Sequence, residues 1–381
     1  MRAPRAAPIM NPDDLRQFTP QPPGWKLDWY GLDMAYDWIQ RMRDCPQSPV
    51  YHAEGDVWIH TRMVLEELVQ LPVWRALEPP ERELVFAAAA LHDVGKPATT
   101  RVEAGHITSR GHSLKGARMS RRILWEMGLP PPLRESIASL IRYHQLPYYL
   151  VDRNDGLRTA IEISQTARTD YLTILAEADV RGRVCRDLPR LLDNIELFGE
   201  FCREHECWAA PRPFANAHSR FLYFRTPTRD PNYEAFDDTR CEVTLMAGFP
   251  GAGKDTWLET NYTGSVISLD GIREETGAPP AGDQGPVIQL ARERARERLR
   301  LGEGFAWNAT NIARDLRAHA IELAAAYNAR LRVVWVEAPR VELWDRNRNR
   351  PKPVPERVIG SMMERWETPD LCEAHDVHLV W

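Results

Sequence analysis

The segment GFPGAGKDT, residues 248–256, constrains the fold of this chain more than any other feature. It follows the apolar run EVTLMA and precedes a helical pattern, so the sequence predicts a strand, a glycine-rich loop and a helix in succession. Glycines let backbone N–H groups close around phosphates at a helix N-terminus, which already favours anions. The segment therefore predicts a nucleotide-binding loop built from Gly248, Gly251, Gly253 and Lys254.

A second motif, LHDVGK, places His92 and Asp93 side by side in the first half of the chain. It ends the segment ERELVFAAAALHD, which is apolar nearly all round and is typical of a buried helix. An imidazole and a carboxylate at one helix end can converge on one ion, and together they suit Mn, Fe, Co, Ni or Zn. The chain thus combines a motif for moving a phosphoryl group with a motif for hydrolysing phosphate esters, which suggests that it edits the ends of its substrate.

The chain has 381 residues, enough for two domains with separate cores. We expect a Pro-rich, poorly ordered segment over 1–24, an all-α domain over 25–208, an aromatic and Pro-rich linker over 209–239, and an α/β domain over 240–381. The first domain shows no convincing strand alternation. In the last, short β-type runs alternate with helical stretches, which predicts a parallel sheet with helices on both faces.

Charge and composition limit the classes of partner. The net charge is −5, so contact with a polynucleotide should be local, at an end or in a pocket. No apolar run approaches the ~20 residues that span a bilayer, and the start MRAPRAAPIMNPDD lacks the apolar core of a secretory signal. Six cysteines form no CxxC pair. We therefore expect reduced thiols, no membrane contact and a cytoplasmic location.

Histidines and aspartates recur on successive predicted helices of the first half. The strings HAEGDVWIHTRMVL, LHDVGK, RGHSLKGA and EADVRGR resemble the HD phosphohydrolase superfamily over about residues 45–205, with the HD domain of bacterial CCA-adding enzymes as a near likeness. This resemblance implies one or two ions of Mn, Ni, Co or Fe and the following roles: His60, His92, Asp93 and Asp179 as ligands of a first metal, His112 and His144 for a second ion or the substrate phosphate, and Lys96 and Arg183 for phosphate oxygens.

The remaining histidines are treated separately. His52 lies eight residues before His60 and is open to three interpretations, as a metal ligand, a general acid or a loop residue. The others are interpreted as structural: His106, His205, His218, His319, His375 and His378.

The residue after the loop lysine departs from the usual pattern of Ser or Thr for magnesium. Here it is Asp255, followed by Thr256. Either Asp255 holds the cation, directly or through water, or Thr256 takes that place.

Two later segments place polar side chains where a phosphoryl-transfer site needs them. Asp270 ends a predicted strand in SLDGIR and is either a general base or a helix N-cap. Arg273 lies one helical turn later, where it can clamp an acceptor phosphate. Arg346 and Arg350 in ELWDRNRNRP share a helical face and form either a lid on the donor phosphates or a solvated basic helix.

The segments GFPGAGKDTW, SLDGIR, WNATN and RNRNR resemble the 5′-hydroxyl polynucleotide kinase family over about residues 240–381. The resemblance implies that ATP or another NTP with Mg²⁺ is the donor, that Lys254 and Thr256 bind its phosphates, and that Asp270 is the general base. Arg273 would grip the phosphate nearest the acceptor hydroxyl, with Arg346 and Arg350 as the lid. Asn308 stands where many of these kinases have Asp, and its role stays open.

The order of the two domains resembles the bacterial bifunctional HD-polynucleotide kinase end-healing enzymes. This implies 5′-OH phosphorylation together with 2′,3′-cyclic phosphodiesterase and phosphomonoesterase action on RNA, or DNA, ends. Two alternatives remain. One is a nucleotidase fused to a nucleoside or sugar kinase, and the other is a regulatory HD module that senses a nucleotide.

Overall fold

The computed structural model describes residues 14–279 and 282–381. The chain folds into two compact units, with the boundary between Arg212 and Pro213. The first, the helical unit, is almost entirely α-helical, and the second, the α/β unit, holds a parallel sheet. This confirms the predicted fold class. Among the described residues, no helix has the length and apolar character needed to cross a membrane.

The helical unit is built mainly from α-helices, with one small β-hairpin. Its elements are α1 (Trp29–Ala35), α2 (Asp37–Met42), α3 (Val57–Leu68), α4 (Pro72–Arg75), α5 (Pro79–Leu91), α6 (Lys96–Thr99), β1 (Arg101–Glu103), β2 (His106–Thr108), α7 (His112–Glu126), α8 (Pro131–Tyr143), α9 (Gly156–Ser164), α10 (Thr169–Arg181) and α11 (Leu188–Glu204).

Helix α5 lies at the centre of this unit. It begins with a capping box in which the Glu78 and Glu81 side chains satisfy each other's backbone N–H groups. From Val85 to Leu91 its residues are almost completely buried, and it packs against α3, α8 and α10. The predicted buried helix is thus confirmed, and its carboxyl end delivers the His–Asp doublet into the interior of the unit.

Two parts of the helical unit differ from the sequence expectation. The segment 1–24 was expected to be poorly ordered, but Leu15 is completely buried in a short 3₁₀ helix that packs on α5. Residues 1–13 lie outside the described residues. The hairpin of β1 and β2 was not predicted, because strands of three residues are too short to show alternation. Its two-residue turn uses Ala104 and Gly105, with φ of 48° and 78°.

The α/β unit alternates strands and helices. Its elements are α12 (Ala217–Arg225), β3 (Cys241–Ala247), α13 (Lys254–Asn261), β4 (Ser265–Ser268), α14 (Leu269–Thr276), α15 (Gly285–Leu301), β5 (Phe305–Asn308), α16 (Arg314–Ala325), β6 (Ala329–Val336), α17 (Arg340–Asn349), α18 (Glu356–Met363) and β7 (Asp376–Val380).

The five strands form one parallel sheet in the order β4-β5-β3-β6-β7. Strand β3 is central: β4 and β5 lie on one side of it, and β6 and β7 lie on the other. The loop after β3 therefore lies where the order of the strands reverses. Such a crevice at the carboxyl ends of the strands is the usual ligand site of open α/β sheets. Beneath this loop, Phe249 packs edge-on against Trp335 and Trp366, whose rings stack at a centroid distance of 5.9 Å.

The aromatic segment 209–239 is packed in part: Phe221 and Tyr223 are buried, whereas Tyr233 and Phe236 are 54% and 86% exposed. Near its start, the Arg212 carbonyl accepts a hydrogen bond from Gln165 of the helical unit at 3.1 Å. Further on, α12 lies within the α/β unit, where Arg220 donates to the Leu371 carbonyl at 3.0 Å. There the buried ring of His218 stacks on His375.

Candidate functional site

The helical unit brings six sequence-predicted side chains together at helix ends and on buried helix faces. Each is at most 7% exposed. They are His60 on α3, His92 and Asp93 at the end of α5, His112 at the start of α7, His144 at the end of α8, and Asp179 on α10.

Asp93 lies at the centre of this cluster. Its Oδ2 is 3.2 Å from His92 Nε2 and 3.8 Å from His60 Nε2. Its Oδ1 is 3.4 Å from His112 Nε2 and 3.9 Å from His144 Nε2. One carboxylate therefore faces two pairs of imidazoles, one pair with each oxygen, and each pair together with Asp93 could hold a metal ion.

The imidazole tautomers are set by the backbone. Nδ1 of His92, His112 and His144 lies 2.7, 2.8 and 2.8 Å from the carbonyl oxygen three residues earlier in the chain. His60 Nδ1 lies 3.2 Å from the Gly182 carbonyl oxygen. Because a carbonyl can only accept a hydrogen bond, the Nδ1 atoms of His92, His112 and His144 carry a proton, and their Nε2 atoms face the cluster. These rings are therefore oriented as metal-binding histidines are. His60 differs, because its Nε2 also lies 3.0 Å from Asp179 Oδ1.

Within the part of the chain that the structure describes, several polar atoms of the cluster are buried without a hydrogen-bond partner, as expected of atoms that coordinate a cation. Among the described residues, both carboxylate oxygens of Asp93 and the Nε2 atoms of His112 and His144 are buried without a hydrogen-bond partner. Buried polar atoms are normally paired, so such a convergent group calls for a ligand. Burial, with help from His112 and His92, lowers the pKa of His144 to about 3, which keeps that ring neutral and able to coordinate. Mixed nitrogen and oxygen donors suit transition metals.

Two positively charged side chains, Lys96 and Arg183, balance the charge of the buried carboxylates. Lys96 Nζ lies 2.6 Å from Asp93 Oδ2, off the direction of a hydrogen bond, and donates to Gln47 Oε1 at 2.6 Å. Arg183 Nη2 donates to both oxygens of Asp179, at 2.9 and 2.8 Å. Burial alone would raise the pKa of Asp93, but Lys96 and His92 outweigh it and hold that pKa well below its usual range. Lys96 and Arg183, which were predicted to bind phosphate, are thus each paired with a buried carboxylate.

The structure adds two residues that the sequence prediction missed. Glu54 Oε1 lies 2.9 Å from His60 Nδ1 and 2.8 Å from His52 Nδ1, so it supports His60 from behind and occupies one nitrogen of His52. Tyr148 donates a short hydrogen bond to Asp179. The only signal for Glu54 was its place between two histidines in HAEGDVWIH, and Tyr148 had none, since it reaches the site from a 3₁₀ turn.

The glycine-rich loop of the α/β unit depends on its glycines. Gly248 has φ of 139°, and a Cβ there would lie 2.2 Å from the Val336 carbonyl oxygen. Gly251 and Gly253 have φ of 82° and 106°, and Gly253 caps the N-terminus of α13. These conformations strongly favour glycine, and they turn the loop into the start of a helix.

Two polar side chains follow the loop glycines. Lys254 Nζ donates to the carbonyl oxygens of Gly248 and Phe249, at 2.9 and 3.0 Å, so it lies across the loop. Asp255 accepts a hydrogen bond of 2.6 Å from Asn308 Nδ2, at the end of β5. The side chain whose role was open in sequence thus orients the aspartate that replaces the usual Ser or Thr.

Asp270 and Arg273 form an ion pair at the carboxyl end of β4. The N-cap of α14 is Ser268, whose hydroxyl accepts from the Gly271 N–H at 3.2 Å, so the alternative of Asp270 as N-cap is wrong. Asp270 lies in the first turn with its side chain 80% exposed. Arg273 is also held by Gln284, to which its Nε donates at 2.7 Å.

The two predicted lid arginines occupy different positions. Arg346 lies in α17 and donates to the Ala252 carbonyl oxygen of the loop at 3.3 Å. Arg350 is the C-cap residue of the same helix, four residues after Arg346.

Separate family models match the two halves of the chain. A model described as an HD domain matches residues 57–181, and one described as an AAA domain matches residues 243–369. Residues 57–181 of the helical unit are thus similar to HD domains, and residues 243–369 of the α/β unit, with its parallel sheet and glycine-rich loop, are similar to AAA domains.

Curated relatives cover only part of the chain. A bifunctional uridylyltransferase/uridylyl-removing enzyme of Ruegeria pomeroyi is 32% identical over 107 residues, 26% of this chain and 11% of that protein. A multifunctional CCA protein of Acidovorax sp. (strain JS42) is 28% identical over 159 residues, 38% of this chain and 33% of that protein. A multifunctional CCA protein of Methylococcus capsulatus is 30% identical over 165 residues, 41% and 36% of the two chains.

Proposed function

We propose that this protein heals RNA ends. The α/β unit would phosphorylate a 5′-OH from ATP or another NTP, and the helical unit would open a 2′,3′-cyclic phosphate and remove the terminal phosphate. The observation that carries the proposal is the Asp93 carboxylate, which faces two imidazole pairs, in the same chain as a phosphate-binding loop. Similarity to relatives named multifunctional CCA proteins supports it.

In the helical unit, six side chains would hold the metal. His60, His92 and Asp93 lie close enough to hold one ion, and Asp179, 3.0 Å from His60 Nε2, would be its fourth ligand. His112 and His144 would complete a second set with Asp93. A bound transition metal would supply Lewis-acid polarisation of the phosphate and a more acidic water. Lys96 and Arg183 balance the ligand carboxylates, and their remaining N–H groups are the proposed contacts to phosphate oxygens.

In the α/β unit, each polar side chain has a separate proposed task. Lys254 would exchange the loop carbonyls for donor phosphate oxygens, and Asp255 or Thr256 would complete the Mg²⁺ shell. Asp270 would take the proton of the attacking 5′-OH. Arg273 would bind the phosphate next to that hydroxyl.

The hydrolytic half is tested with purified protein, Mn²⁺ or Ni²⁺, and an oligoribonucleotide ending in a 2′,3′-cyclic phosphate. Opening of the ring followed by release of inorganic phosphate is the expected result. Hydrolysis of mononucleotides alone would favour the nucleotidase alternative. Tight nucleotide binding without turnover would favour the regulatory alternative.

The kinase half is tested with Arg273→Ala on two acceptors. A 5′-OH oligonucleotide has a phosphate beside the hydroxyl, whereas a nucleoside does not. Loss of a charge-assisted contact costs about 1.5–3 kcal/mol, so we expect a deficit of roughly 10–150-fold on the oligonucleotide and a much smaller one on the nucleoside. Arg300→Ala, an exposed arginine at the end of α15, is the control. Equal deficits on both acceptors would favour a small-molecule kinase.

A further inference from the structure

A cavity of about 220 Å³ lies beside the HD-domain cluster in the helical unit. Tyr51 and Tyr149 stand at its rim, with 57% and 42% of their surfaces exposed. They come from separate segments, the loop before α3 and the junction of two 3₁₀ helices. Sites for drug-sized ligands hold about 300–1,000 Å³, so this smaller cavity is limited to a ligand of about the size of one nucleoside.

The cavity and the metal cluster share two walls. Tyr148 and Arg183 line the cavity, and both donate hydrogen bonds to Asp179. Arg183 Nη2 also lies 3.2 Å from the Tyr148 hydroxyl. A nucleoside held in the cavity would therefore place its 3′-phosphate on the side of the cluster.

The rest of the lining offers little that distinguishes one base from another. Leu191 is buried and apolar, and Cys185 is a partly exposed thiol. The one carboxylate of the lining, Asp187, is paired with Arg190 at 2.9 Å. Aromatic rings combined with few unpaired polar groups are typical of sites that stack any nucleobase.

We propose that this cavity binds the base and ribose of the 3′-terminal nucleotide, the one that carries the phosphate, with the base stacked on Tyr51 or Tyr149. The proposal rests on the function proposed above. It adds a subsite that binds the terminal nucleoside whichever of the four bases it carries.

The test compares two oligoribonucleotides with 3′-phosphate ends, one normal and one whose terminal ribose lacks a base. Stacking is worth roughly 5–150-fold per base, so intact wild-type protein should prefer the normal end by at least about fivefold in kcat/KM. In the double variant Tyr51→Ala/Tyr149→Ala this ratio should fall towards one. The four terminal bases should differ only a few-fold in wild-type protein.

Three variants serve as controls. Tyr51→Phe/Tyr149→Phe keeps both rings and should keep the ratio. Tyr30→Ala removes a tyrosine that is 77% exposed on α1, outside the cavity, and should also keep it. Should the double alanine variant fail to fold, Cys185→Phe fills the cavity from another wall and should lower the ratio instead.

Equilibrium binding of the same two oligonucleotides, measured by fluorescence anisotropy without metal, separates the two proposals. Turnover with a ratio of one in wild-type protein overturns the subsite and leaves the end-healing function standing. Tighter binding of the normal end, lost in the double alanine variant, supports the subsite even if no hydrolysis occurs and the function fails. Equal affinity for both ends overturns the subsite whatever the turnover.

Discussion

At the scale of single residues, the hydrolytic centre depends most on Asp93, because both of its oxygens face imidazole nitrogens. Asp93→Asn keeps the volume but removes the charge. We expect the bound metal, measured by plasma spectrometry, to fall, and phosphoesterase activity to drop by at least ~10²-fold. Asp193→Asn, on the exposed face of α11, is the control. Unchanged metal content in Asp93→Asn would remove Asp93 from the ligand set.

A second residue-scale prediction concerns the contact between Asn308 and Asp255. If Asn308 acts by orienting Asp255, each alanine variant should raise the Mg²⁺ concentration that the kinase needs. The double variant should be no worse than Asp255→Ala alone, because partners in one contact are not additive. Magnesium titrations of kinase activity provide the measurement. Additive defects would show that Asn308 acts independently of Asp255. An unchanged titration in both single variants would show that Thr256 or water fills the shell.

Sequence patterns can predict which residue types meet at such a site, but they cannot predict what holds them there. Six residues were predicted from motifs. The structure groups five of them closely enough to hold an ion, and Asp179 lies 3.0 Å from one of those, His60. The backbone carbonyls that fix the imidazoles, and the carboxylate of Glu54 behind His60, follow from tertiary geometry. Neither contact produces a recurring spacing of residue types that could be recognised in a single sequence.

At the scale of elements, the loop after β3 depends on the close approach of its backbone to that of β6. In Gly248→Ala the new Cβ would meet the carbonyl oxygen of β6 at 2.2 Å, so the loop must shift. We expect loss of ATP binding by calorimetry and a lower melting temperature. The matched control is Gly277→Ala, also at positive φ but with open space around it, which should cost only about 1–2 kcal/mol and keep ATP binding. Normal ATP affinity in Gly248→Ala would contradict this role of the loop.

Elements with strong periodicity were predictable, and short or weakly buried ones were not. The predicted runs CEVTLMAG, SVISLD, FAWNAT and LRVVWVEAP overlap strands β3 to β6. Strands β3, β5 and β6 are largely buried, as strands of parallel sheets usually are. Strand β7 was missed because it is partly exposed at the sheet edge. It is a strand because it pairs with β6, and this long-range pairing cannot be recognised from the residues of β7 alone.

At the scale of the whole molecule, the two activities should be separable. Each predicted site lies within one of the two compact units. Asp93→Asn should therefore lose phosphoesterase activity and keep kinase activity near wild type, and Lys254→Ala should do the reverse. Both activities are measured on the same oligonucleotide with labelled ends. Loss of both in either folded variant would contradict two independent sites.

The balance of charge inside the helical unit has a consequence for how the proposed metal would be acquired. Lys96 and Arg183 already neutralise the ligand carboxylates, and backbone carbonyls already orient the imidazoles. Unlike a zinc finger, whose metal is needed for folding, this unit should stay folded when a chelator strips it, as far-ultraviolet dichroism would show. A bound ion would then exchange with the solvent without unfolding of the protein. Which metal occupies the site at a given moment would be decided by competition among the available ions, with the strongest binders of the Irving–Williams series favoured.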